Sequence, residues 1–162
     1  MTTLSSLMSP LQFSMFPWMR FALQEIGEAE VPGKTRSNQR IVQYHSAAGN
    51  ADDDDTPWCS AFTNWCMLHG GQRGTGLPNA RSWLTWGDAL PLAQPIYGCV
   101  AVFSRPPKPW HGHVGFFVGS DAGSIVVLGG NQRSPTGGVV SIASYAHARL
   151  LAFRWPTGFP RP

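Results

Sequence analysis

The chain is short of charge: Asp, Glu, Lys and Arg together make up 13% of its 162 residues, against 43% hydrophobic ones. So little charge among so many apolar side chains excludes intrinsic disorder. At this length folding buries roughly 70% of the unfolded surface, enough for a core without covalent staples. Long hydrophobic runs are missing too. Nothing approaches the roughly 18 consecutive apolar residues of a membrane span, so no membrane insertion is expected. Met1 to Phe16 has no basic start, no long apolar stretch and no cleavage site, so it does not read as a signal peptide. It is expected to be an arm, residues 1–16, before a single domain at 17–162. Without a signal peptide the chain is made in the cytoplasm, and an extracytoplasmic target requires a non-Sec route. Basic runs and an aromatic RNA-binding signature are absent, which argues against nucleic acid. The net charge of +3 and pI near 9.0 still suit an anionic partner such as a cell wall. Cysteine is scarce and odd in number: Cys59, Cys66 and Cys99. That excludes a full disulfide framework and leaves at least one thiol unpaired. A Cys66–Cys99 bridge is compatible with the sequence, but buried reduced thiols are the expectation for both.

Aromatics, by contrast, are plentiful, with seven Trp and nine Phe. Some should fill the core and some line a groove. Pro17 stands at a first helical position, followed by Trp18, Phe21, Ala22, Glu25 and Ile26 at helical spacing. Asn38 can cap a second helix carrying Ile41, Val42, Tyr44 and His45. Thr56-Pro57 opens a third, which Gly70-Gly71 stops, and a short helical piece covers about 80–86. Beyond residue 96 the texture changes to short runs of β-formers. Residues 98–103, 113–119, 125–128, 139–142 and 150–154 read as five strands. Helices first, then strands with connections too short for crossovers, predict an α+β fold: N-terminal helices packed on a mostly antiparallel five-stranded sheet.

Cys59 carries the first sign of chemistry. With Pro57 as first helical residue, Cys59 lies in the first turn, where unpaired N–H groups and the helix dipole favour a thiolate and can hold an oxyanion. By itself that position equally fits a small buried hydrophobe. His113 changes the balance. It begins a strand between Gly112 and Val114-Gly115, where glycines let an imidazole and a substrate backbone come close, and a thiol–imidazole pair needs delivery of that kind from a second element. Asn131, in Gly129-Gly130-Asn131-Gln132, is the candidate third residue. Counting by two from His113 and from Ile125 puts both side chains on one face if the strands pair as a hairpin. An amide there would fix the imidazole tautomer. Gln132 is the alternative for that role.

Trp58-Cys59-Ser60, then Gly112-His113-Val114-Gly115, then Leu128-Gly129-Gly130-Asn131-Gln132 together resemble the CHAP amidohydrolase/peptidase family. They are most similar to its small single-domain members among phage endolysins and bacterial cell-wall effectors. Pro17-Trp18-Met19, Tyr44-His45, Ala80-Arg81-Ser82-Trp83 and Arg154-Trp155-Pro156 extend the resemblance over about residues 17–156. It implies a papain-like fold and a Cys/His hydrolase acting on peptidoglycan without a cofactor or metal. One departure stands out: many CHAP domains carry Glu two residues before the Asn, where this chain has Gly129.

The resemblance makes a monomer acting in the periplasm or cell wall, as a phage lysin or as an injected effector with an immunity protein as partner. Whether an amidase or an endopeptidase bond is cut stays open. Around the site, Asp54 and Asp55 of the acidic run 52–55 are candidates to bind an amine of the stem peptide, although such runs are commonly solvated loops. Trp58, Trp110 and Gln132 are further candidate substrate contacts. Trp83 and Trp86, three apart on a short helix, belong rather to the core, and His111 to a solvent-facing loop. Two other readings remain: a zinc amidase built on His111, His113 and further ligands, and a silent wall-binding module.

Overall fold

In the computed structural model the described residues are 16–33, 35–50 and 57–162. Helix α1 spans Pro17–Gln24, with Pro17 in the first turn, and buries Trp18, Met19 and Ala22. Helix α2 spans Gln39–Ala47, and Asn38 caps it by accepting the Arg40 N–H at 2.8 Å. Helix α3, Cys59–His69, is the centre of the molecule: every residue from Cys59 to Met67 is buried. A helix covered on all sides must satisfy its polar groups internally. Thr63 Oγ1 donates to the Cys59 carbonyl at 2.9 Å, Asn64 Oδ1 accepts the Gly76 N–H at 2.9 Å, and Ser60 Oγ accepts from Trp83 Nε1 at 2.8 Å. A 3₁₀ turn at Ala80–Thr85 buries Trp83. All three cysteines are buried and free, so no Cys66–Cys99 bridge forms.

The sheet has six strands rather than five, all paired antiparallel. They are β1 (Asp88–Leu90), β2 (Val100–Ser104), β3 (Gly112–Asp121), β4 (Ser124–Ser134), β5 (Gly137–Ala146) and β6 (Leu150–Trp155), in the order β1-β6-β2-β3-β4-β5. The added strand, β1, has only three residues and no β-former pattern. It exists because Asp88–Leu90 pairs with Phe153–Trp155, which sequence periodicity cannot register. β4 and β5 also run well past the expected 125–128 and 139–142. Gly-Gly-Asn-Gln, a turn by composition, continues β4 across a bulge between Gly129 and Gln132. That bulge decides the geometry of the site.

The helices and the sheet share one buried apolar cluster. At one end Trp18 and Phe159 meet edge-to-face at 4.8 Å, and Trp155 lies 5.6 Å from Trp18, tying α1 to β6 and the C-terminal segment. At the other end α3 lies across β3 and β4, and the close approach there requires glycine. A Cβ on Gly130 would stand 2.6 Å from Phe62 Cβ and 2.7 Å from the Trp58 ring. Among the described residues no helix is long and apolar enough to cross a membrane.

Candidate active site

Helix α3 begins at Cys59 itself, with Trp58 as N-cap, instead of opening at Thr56-Pro57. The first helical bond runs from Phe62 N–H to the Trp58 carbonyl at 2.9 Å. Cys59 and Ser60 are therefore the first two helical residues, whose N–H groups have no partner in the helix. Both N–H groups, joined by that of Val114 on β3, hydrogen-bond the Cys59 sulfur, and with the charge of Arg105 they favour the thiolate. Burial outweighs them and pushes the thiol above its ordinary value. His113 is displaced the other way: burial, opposed by the bond to Gln132 and aided by the charges of Arg149 and Arg105, lowers it to about 4. Both shifts favour neutral thiol and neutral imidazole over the thiolate that the helix position alone suggests. Cys59 and His113, 7% and 6% exposed, open onto one cleft of about 630 Å³.

The hydrogen-bond partner of His113 is Gln132, not Asn131. β3 and β4 pair with Phe116 opposite Leu128 and Phe117 opposite Val127, and extrapolating that register puts Asn131 across from His113. The bulge adds one residue to β4, so Gln132 takes the inward place and Asn131 turns away with φ 54°. Asn131 Oδ1 instead sits close against Gly138, and the residue lines the cleft. Gln132 Nε2 donates to the Ser141 carbonyl at 2.7 Å and to Ser141 Oγ at 3.0 Å. A carbonyl only accepts, so the amide NH₂ must face Ser141 and Oε1 must face His113. Oε1 then accepts from His113 Nε2 at 3.1 Å and from the Tyr145 hydroxyl at 3.0 Å. That arrangement assigns the ring proton to Nε2 and leaves Nδ1 as the basic nitrogen.

Gly129 now has a physical reason. A Cβ there would lie 2.9 Å from Gln132 Oε1 and 3.4 Å from His113 Nε2. The Gln132 amide fills the space into which a side chain at 129 would project, so the missing Glu and the buried Gln are two sides of one arrangement. Tyr145, which sequence reasoning passed over, stacks on the His113 ring at 4.7 Å with a 26° tilt. Its signal was the alternation Ser141, Ala143, Tyr145, hidden because β5 was expected to stop at 142.

The remaining candidates divide. Trp110 is 65% exposed and lines the cleft. Trp58 is fully buried, its Nε1 donating to Glu30 Oε1 at 3.0 Å, and cannot touch substrate. Gln132, 1% exposed, is likewise withdrawn from substrate into the His113 network. Asp54 and Asp55 lie outside the described residues. Trp83 is core, while Trp86 is half-buried with Nε1 on the Arg73 carbonyl at 2.9 Å. His111 is half-buried rather than solvent-facing; its carbonyl accepts from Arg81 Nε at 2.9 Å and the residue lines the cleft. Among the described residues no three His, Cys, Asp or Glu side chains gather as metal ligands would.

Residues 51–131, half of the chain, match the family profile described as the CHAP domain. The matched span contains Cys59 and His113, stops just before Gln132 and does not reach Tyr145. No curated protein matches the chain.

Proposed function

From the chain's membership of the CHAP family, we propose a peptidoglycan hydrolase that cuts an amide bond, with Cys59 as nucleophile, His113 as general base and Gln132 as the residue that orients the imidazole. The observation that carries this reading is the shared cleft of Cys59 and His113, with Gln132 bonded behind the ring. Starting from the neutral pair, His113 Nδ1 takes the thiol proton as the sulfur attacks the scissile carbonyl. The oxyanion forms beside the N–H groups of Cys59 and Ser60, which the sulfur releases as it becomes bonded to carbon. His113 then protonates the leaving amine, and a water deprotonated by His113 hydrolyses the thioester. Because Gln132 is uncharged, it stabilises the imidazolium through a single hydrogen bond rather than through a full opposite charge.

The setting we propose is outside the cytoplasm, as a phage lysin or an antibacterial effector; in the effector case an immunity protein closing this cleft would be the natural inhibitor. The test is digestion of purified peptidoglycan by wild type and Cys59→Ala, with and without chelator, and mass spectrometry of the fragments. Fragments that persist with chelator and vanish in the variant establish the thiol mechanism, and their new termini name the bond. Substantial release by folded Cys59→Ala would refute the nucleophile. No release by either protein would point to a wall-binding module.

A further inference from the structure

The described lining of the cleft carries charge of one sign. It includes Arg105, Arg133 and Arg149 and no Asp or Glu. The three come from different elements: Arg105 follows β2, Arg133 lies on β4, and Arg149 ends the 3₁₀ turn His147–Arg149 before β6. The ion pairs among the described residues are Arg40–Glu25 and Arg161–Asp88, so no described carboxylate neutralises a cleft arginine through an ion pair. Arg149 is the best held. Its Nε donates to the Ser104 carbonyl at 2.9 Å and its guanidinium lies 5.5 Å over the Tyr145 ring, which leaves the terminal nitrogens for a ligand. Arg105 and Arg149 also reach the reacting groups, since both disfavour the imidazolium of His113 and Arg105 favours the thiolate of Cys59. Several guanidiniums lining one recessed site form a receptor for carboxylates, whose two oxygens match the guanidinium fork.

We propose that the cleft selects an anionic peptide, holding a free carboxylate of the substrate beside the scissile amide through Arg149 and Arg105, with Arg133 as a third cation. The word scissile rests on the hydrolase reading; the carboxylate site does not. Binding also serves the chemistry. A carboxylate between the two arginines cancels the field that opposes protonation of His113, so the imidazole becomes a stronger base once substrate is in place. The acid limb of kcat should therefore lie at higher pH than that of kcat/KM, because the first reports the complex and the second the free enzyme.

The experiment uses soluble muropeptides with free stem carboxylates, and the same pool amidated by carbodiimide and ammonia. Wild type should prefer the free form by about tenfold or more in kcat/KM, the loss expected when a charge-assisted contact is removed. Arg149→Gln and Arg105→Gln should each erase most of that preference, mainly by raising KM for the free pool; Arg149→Lys should recover part of it. Arg105 is exposed, so its variant tests the site without disturbing the core. Equal cleavage of both pools by wild type, or equal slowing of both by the arginine variants, overturns the proposal. Calorimetric binding of both pools to Cys59→Ala separates the two readings. Carboxylate-dependent binding with no turnover by wild type keeps the site and removes the hydrolase, whereas turnover without carboxylate preference does the reverse. Absence of binding to either pool overturns the site.

Discussion

The sequence offered two amides for the place behind the histidine, Asn131 first and Gln132 as the alternative, and could not choose between them. Gly-Gly-Asn-Gln announced an amide near the histidine, but counting by two assumes an unbroken strand, and one inserted residue exchanges the two faces. Two predictions belong at this scale. Gln132→Ala should lower kcat about a hundredfold, by leaving the Ser141 carbonyl, the Tyr145 hydroxyl and His113 Nε2 without their shared partner, a loss to be read in steady-state kinetics. The double change Gly129→Glu with Gln132→Gly should retain more activity than Gly129→Glu alone, since only the first empties the space that the new side chain needs. Moreover, a carboxylate at 129 should raise the acid limb of the pH–rate profile from near the value of about 4 held by His113. An unchanged limb in an active double variant would mean that the side chain at 129 does not reach the ring.

His113 also ties residue chemistry to stability. Its ordinary value is 6.5 and its folded value about 4, so between those limits the unfolded chain binds a proton that the folded one refuses. Stability from this residue is complete above pH 6.5 and is lost as pH falls toward 4. In urea titrations His113→Asn should therefore lose less stability than wild type between pH 7 and about 4.5. Parallel losses would contradict a neutral buried ring.

At the scale of elements, the site is a junction between the N-terminus of α3 and the bulged middle of β4. The two approach closely because Gly130 has no side chain to hold them apart, and the close packing puts the Cys59 sulfur within hydrogen-bond reach of the Val114 N–H. Gly130→Ala should push β4 off Phe62 and Trp58 and destabilise the fold by about 1–3 kcal/mol, as overpacking does. Activity should fall by more than that stability loss accounts for, because the shift moves Gln132 and hence the ring. Thermal unfolding and kcat measured on one preparation check both parts. Helix starts and caps were visible locally at Pro17 and Asn38, where the signal is the residue's own chemistry. β1 was not, because a three-residue strand is defined by its neighbour β6 alone.

For the whole molecule, the aromatic excess divides into a structural majority and an exposed Trp110. Trp18, Trp155 and Phe159 join the first helix to the last strand and do not line the cleft, so Trp155→Ala should cost about 3–5 kcal/mol in global stability while leaving KM unchanged in the fraction that remains folded. A raised KM would mean that the cluster positions the site rather than merely closing the core.

What the sequence determined alone is the chemistry available and its broad placement. A cysteine at a helix start, a histidine opening a strand, an amide following another strand, and helices preceding an antiparallel sheet all follow from local propensity and short spacing. What tertiary structure decided are the quantities that depend on groups distant along the chain. Burial opposed the helix terminus and pushed the Cys59 thiol above its ordinary value. A bulge chose Gln132 over Asn131. Three arginines separated by tens of residues met in one cleft. Each depends on through-space distances, and those are set only when the elements pack.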